Sequence, residues 1–275
     1  PGEVLLHPAA GNLRRASVAC SLARAFVQPD ADAFGAITDG LKAGLELDGL
    51  KDALTPALEA WQAASLLEMQ DEFARIFAGK LPCPPYETAY GDGRRMAGRT
   101  WEMADIAGSY KAFGVQLSEA HRDRPDHIAA ELEFLSVLYV KLAWAEADAL
   151  DEASLITLDA LKDFLQRHIG RWLDLFAAMV GQHSAGSPYH LTASAAADFV
   201  SAECQRLGVI PQKMRSGEPC GETEEDCVVC PMATPQEGEA TAKCDTHTQL
   251  SMSDRRHERD ARFTDAEYQA FFDPS

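Results

Sequence analysis

The run Pro125-Asp126-His127-Ile128-Ala129-Ala130-Glu131-Leu132-Glu133-Phe134-Leu135, continuing to Tyr139 and Leu142, settles the fold class. A proline followed by polar residues is a common way to open a helix, since the missing N–H costs nothing in the first turn. Behind it Ile128, Leu132, Leu135, Tyr139 and Leu142 recur every three or four residues, which draws one apolar stripe along a helix. Strand-like alternation flanked by turn signals is missing here and elsewhere in the chain, as is any internal repeat.

Upstream, Leu13, Val18, Leu22 and Phe26 predict a first amphipathic helix that Pro29 ends. A second is expected from Asp32 to about Leu54, and Thr55-Pro56 then looks like an N-cap with proline at the first helical position. Leu58, Trp61, Leu66, Met69, Phe73 and Phe77 form the next stripe, which Gly79 stops. Prolines at 82, 84 and 85 forbid helix through the segment 81–91, and helix resumes near Gly98 with Trp101, Ile106, Tyr110, Phe113 and Leu117.

Downstream, a long helix is predicted from about Ser154 to Met179, broken by Gly181 and Gly186-Ser187-Pro188, before a last one from about Leu191 to Leu207. The expectation is an all-α protein: a single bundle of six or seven helices over residues 1–207, followed by an irregular, acidic, cysteine-rich extension over 208–275.

The net charge of −18 argues against nucleic acid and anionic membranes and favours solubility or a basic partner segment. Half of that charge lies in residues 216–275, where 14 acidic residues face 5 basic ones, a net −9. No apolar run approaches the ~20 residues needed to span a bilayer. Arg14-Arg15 before Ala16-Ser17-Val18-Ala19-Cys20 faintly resembles a twin-arginine export signal, but Arg24 interrupts the apolar stretch. An amphipathic helix is the better reading, and a cytoplasmic, non-exported protein is expected.

Four segments, in order, resemble the TorD/DmsD (NarJ-like) family of redox-enzyme maturation chaperones. They are the loop Pro84-Pro85-Tyr86-Glu87-Thr88-Ala89-Tyr90-Gly91, the helix Tyr110-Lys111-Ala112-Phe113-Gly114-Val115-Gln116-Leu117, the turn and helix from Pro125 to Leu135, and Phe164-Leu165-Gln166-Arg167-His168-Ile169-Gly170-Arg171-Trp172-Leu173. The resemblance spans about residues 10–207. It implies an all-α, non-enzymatic chaperone that binds a molybdopterin-dependent oxidoreductase of the dimethyl sulfoxide reductase superfamily, or its twin-arginine signal peptide, assisting cofactor insertion and delaying export. Monomer and homodimer both stay open.

By the same resemblance, the client- or peptide-binding residues are Pro85, Tyr86, Tyr90, Tyr110, Pro125, Asp126, His127 and Glu131. Asp126 could cap the following helix or accept from an arginine, and His127 could donate or accept beside it. Helical spacing also makes Tyr110 and Phe113 candidates for the core, and Asp126 and His127 could simply cap and pack.

The extension departs from the family pattern. Cys220, Cys227, Cys230 and Cys244 place one C-x-x-C pair among four thiols, a donor set that suits zinc or an iron–sulfur cluster. Pro231 after Cys230 favours the cluster, and His247 is a possible substitute ligand. The competing reading is a flexible acidic tail with free or redox-labile thiols. Cys20, Cys83 and Cys204 read as ordinary buried or loop thiols. These features leave a second function open, an iron–sulfur or zinc-dependent redox sensor on a helical scaffold. For catalysis there is no G-x-S-x-G elbow, no H-E-x-x-H and no glycine-rich phosphate loop.

Overall fold

The computed structural model describes residues 8–78, 82–90, 96–117 and 124–214. The chain divides into two units, 1–223 and 224–275, and the described residues all lie in the first. The extension's cysteines and His247 fall outside the described residues.

Among the described residues there are nine α-helices and no strands. The first four are α1 (Pro8–Ala25), α2 (Ala31–Gly44), α3 (Lys51–Ala63) and α4 (Leu66–Phe77). A loop holding one 3-10 turn, Glu87–Ala89, leads to α5 (Met96–Ala112) and α6 (Ile128–Ala147). Then come α7 (Asp151–Arg167), a 3-10 turn at Ile169–Arg171, α8 (Leu173–His183) and α9 (Pro188–Leu207).

The expected all-α bundle is what forms, with more and shorter helices than the six or seven expected. The second predicted helix ends at Gly44, where the chain turns through Gly49 (φ +79°) before restarting at Lys51. Thr55 and Pro56 therefore lie inside α3 and are not its cap; the Thr55 hydroxyl donates to the Lys51 carbonyl at 2.7 Å. The next stripe splits at Ser65, whose hydroxyl accepts from the Glu68 N–H while the Glu68 carboxylate accepts from the Ser65 N–H. The long helix expected from Ser154 to Met179 breaks at His168 to Trp172, giving α7 and α8. The final helix starts at Pro188, with Ser187 as its cap.

Helix α1 lies between α2 and α6, α3 and α8 pack on α9, and α7 packs on α6. Burial of Leu22, Leu41, Trp61, Leu132, Tyr139, Phe176 and Phe199 makes one continuous core. Two long-range polar pairs cross it, each satisfying a buried donor: Trp61 Nε1 donates to Thr192 Oγ1 at 2.7 Å, and the Tyr139 hydroxyl donates to Glu203 at 2.8 Å. Glu203 also takes Arg15 at 2.9 Å, and Arg14-Arg15 sits in the predicted first helix, which is central and not amphipathic, since no residue from Ala9 to Ala25 is exposed. Glycine is obligatory at one crossing: a Cβ at Gly40 would stand 1.7 Å from Ser21 Oγ and 2.8 Å from the Ser17 carbonyl.

After Gly208, left-handed at φ +68°, the chain turns back as a strap over residues 209–214. The Val209 N–H bonds the Cys204 carbonyl at 2.8 Å, and the Met214 N–H bonds the Arg171 carbonyl at 3.0 Å. Lys213 pairs with Asp174 at 2.6 Å. No helix among the described residues is long and apolar enough to cross a membrane.

Candidate functional site

The proline loop and the turn before α6 are joined edge to edge. Tyr86 and His127 form an isolated antiparallel bridge: the Glu87 N–H bonds the Asp126 carbonyl, and the Ile128 N–H bonds the Pro85 carbonyl, both at 2.9 Å. Prolines cannot donate, so this loop has few backbone bonds of its own and borrows them from a segment remote in sequence.

Side chains close the same seam. The Asp126 carboxylate is buried and accepts from the Thr88 hydroxyl at 2.7 Å, the Thr88 N–H at 3.2 Å, and two Arg124 nitrogens at 2.8 and 3.0 Å. Arg124 also lies over the Tyr86 ring, 4.4 Å from its centroid. His127 caps α6, its Nδ1 accepting from the Ala129 N–H at 3.1 Å, and packs edge-on against Tyr86. Thus His127, not Asp126, is the cap, and Asp126 holds an arginine of its own chain.

The other expected site residues lie behind this seam. Tyr90 is buried, stacks on Trp172 and donates to the Pro84 carbonyl at 2.9 Å. Tyr110 is buried against Phe134 and donates to the Pro125 carbonyl at 2.7 Å. Glu131 is buried with one oxygen 3.2 Å from Trp172 Nε1 and the other without a hydrogen-bonding partner. Tyr86 and Pro125 are half-buried, and with Arg124 they form the solvent-facing rim.

Beneath the rim lies a charged layer that the sequence reading did not single out. Glu87 turns inward from the loop and is fully buried. His168, at the break between α7 and α8, stands between Glu87 and Asp105, with one ring nitrogen 3.3 Å from each carboxylate. Both approaches are off the line of a hydrogen bond. Arg171 reaches Glu87 at 3.4 Å and Glu102 at 2.5 Å, and Arg167 pairs with Asp105 and Asp163. Glu102, Asp105, Arg167, His168 and Arg171, with the exposed indole of Trp101 and with Gln212, line an open cavity of ≈ 470 Å³ between α5 and the α7–α8 corner.

Burial raises the pKa of Glu87 above the usual carboxylate range, against the opposing pull of His168. Burial raises that of Glu131 well above it, and the nearby charge of Glu87 pushes the same way. Away from the site, the free thiols Cys83 and Cys204 are buried, and burial pushes each up to about 11. Cys20, half-buried, is also raised by burial. Among the described residues no group of three or more His, Cys, Asp or Glu side chains is arranged to hold a metal.

Comparison with known proteins agrees with this architecture. The family model for the nitrate reductase delta subunit matches residues 38–178. The chain is 32% identical over 190 residues to the selenate reductase assembly chaperone protein of Thauera selenatis, covering 68% of this chain and 86% of that one. It is 30% identical over 198 residues to the chlorate reductase assembly chaperone protein of Ideonella dechloratans, covering 71% and 90%. With the chaperone protein TorD of Vibrio cholerae (strain ATCC 39315) it shares 27% identity over 140 residues, half of this chain and 61% of the other. On these matches and this helical architecture, the chain belongs to the nitrate reductase delta subunit family of TorD/NarJ-like maturation chaperones.

Proposed function

We propose that this protein is an assembly chaperone for a molybdenum-cofactor oxidoreductase of the dimethyl sulfoxide reductase superfamily, holding the enzyme while its cofactor is inserted. The observation that carries this reading is the similarity, over more than two thirds of the chain, to proteins named as assembly chaperones of selenate and chlorate reductases. The same similarity favours a chaperone without catalytic activity over a redox sensor built on a helical scaffold.

The client meets the seam between the proline loop and the turn before α6. Tyr86, Arg124 and Pro125 supply its accessible edge, and Asp126, His127, Tyr110 and Glu131 hold that edge in place. Loop positions carry recognition more readily than core positions, and an aromatic ring beside a guanidinium suits an apolar segment with polar flanks. A twin-arginine signal peptide is the natural short ligand: the net charge of −18 draws its basic pair, and burial of its apolar stretch retains it. Its guanidinium would have to compete with Arg124 for Asp126. Delayed export, and residence in the cytoplasm, follow from that role.

The test is titration of the full chain with the apo-oxidoreductase and with synthetic twin-arginine leaders at two salt concentrations. Binding that weakens as salt rises supports the reading. Absence of binding to every apo-enzyme and leader tried rejects it.

We also propose that Cys220, Cys227, Cys230 and Cys244, in the extension 208–275, bind zinc or an iron–sulfur cluster. The support is their number and the C-x-x-C spacing. Elemental analysis and a visible spectrum of anaerobically purified protein decide it: metal at one equivalent per chain or a cluster absorbance supports the site, and colourless, metal-free protein removes it.

A further inference from the structure

Arg171 touches three parts of the molecule at once. Its guanidinium contacts Glu87 of the proline loop at 3.4 Å and Glu102 of α5 at 2.5 Å. Its Nε donates to the Gln212 carbonyl at 3.4 Å, and its own carbonyl accepts from the Met214 N–H at 3.0 Å. Loop and strap therefore share one residue, held by the strap at both backbone and head group.

The strap lies tightly on this corner. A Cβ added at Gly170 would come 2.9 Å from the Pro211 ring and 2.2 Å from the Leu165 carbonyl, so the neighbour of Arg171 has no room for a side chain. Lys213 anchors the strap further through Asp174. On the loop side Glu87 is fully buried, and the like charge of Glu102 acts on it. A buried carboxylate tolerates loss of its counter-charge poorly, and the readiest relief is for the short loop carrying it to move.

We infer that Arg171 is a positioning residue through which the strap 209–214 sets the conformation of the proline loop, by presenting its guanidinium to Glu87 only when Gln212 and Met214 are docked. The functional side of the inference rests on the reading of that loop as the client surface; the coupling itself does not. The four cysteines follow Met214 in the sequence, so the strap is the covalent route by which a change among them would reach the loop.

Hydrogen exchange of the full chain tests this, read at the Glu87, Tyr90 and Ile128 amides, which bond to Asp126, Glu87 and Pro85. Asp174→Lys repels Lys213, and Met214→Pro removes the N–H that holds Arg171; neither touches the loop. Each should speed exchange at the three loop amides about tenfold while amides of α2 keep their protection. Arg171→Lys keeps the charge but cannot span Glu87, Glu102 and Gln212 together. In that background the two strap variants should have no further effect on the loop, as coupling through one residue requires. Unchanged loop exchange in both strap variants, or an equal acceleration with and without Arg171→Lys, overturns the inference. Faster loop exchange with unaltered affinity for apo-enzyme and leader leaves the coupling standing and counts instead against the loop as client surface.

Discussion

Trp172 donates its indole N–H to Glu131 at 3.2 Å, in a place where neither side chain meets solvent. The bond leaves the second Glu131 oxygen unpaired, and burial holds this carboxyl protonated at pH values where an ordinary glutamate is charged. A carboxyl whose folded-state pKa is raised contributes its stability below the unfolded value of about 4.3. That contribution is lost as pH rises toward the folded value. Glu131→Gln keeps the shape and an acceptor for Trp172 without a titrating group. Thermal unfolding of this variant should depend less on pH between 5 and 8 than that of the parent, with its relative gain at the alkaline end. Parallel pH profiles would refute the assignment.

Asp126 is the node of the seam, so Asp126→Asn should loosen it. The variant removes a buried charge from Arg124, and part of the loss is recovered because Arg124 is partly solvated. Destabilisation of about 1–3 kcal/mol is expected from urea unfolding. Loop amides should lose protection before those of the helices. A variant as stable as the parent would mean that the Thr88 and backbone bonds hold the seam unaided.

Tyr86 differs from Tyr90 and Tyr110 in being half-exposed. Tyr86→Ala should therefore weaken binding of apo-enzyme or leader about tenfold, roughly 1.4 kcal/mol, with little change in melting temperature. Tyr90→Ala should do the reverse, costing about 3 kcal/mol or more of stability because it empties a space against Trp172. Calorimetric titration and unfolding of the two variants side by side separate recognition from packing.

Gly40→Ala is expected to destabilise by about 1–3 kcal/mol, since the new methyl collides with Ser21 and with the Ser17 carbonyl. Adding Ser21→Gly should recover only part of that loss, because the backbone oxygen stays in the way. Full recovery would show that the α1–α2 crossing is set by the side chain alone.

The helices were legible because their stripes and their breakers are local. Their ends were less so. Trp61, Met69, Phe73 and Phe77 fall close to whole turns apart, so the stripes of α3 and α4 run in phase across the break at Ser65 and read as one helix. The signal was present all the same, since Ser65-Leu66-Leu67-Glu68 is a capping box in its letters. The outer seam was also within reach, because a loop of prolines and aromatics is visibly non-helical and Asp126 precedes a strong helix. Glu87 and His168 were not. A glutamate in a loop and a histidine at a helix end look solvated until the fold brings the loop, α5 and the α7–α8 corner together. Glu131 alone carried a hint, since it lies on the same face as Ile128 and Leu135.

The seam also bears on the order in which the fold is completed during synthesis. Thr88 and Asp126 are 38 positions apart, and Arg171 lies 84 positions beyond Glu87. Chains emerge from the ribosome amino end first, and segments that pair early wait for distant partners. The loop is thus translated well before the side chains that fix it, and its buried side is completed only when the α7–α8 corner has left the ribosome. Truncation anywhere upstream of that corner would leave the loop without Arg171 against Glu87 and without Trp172 against Tyr90.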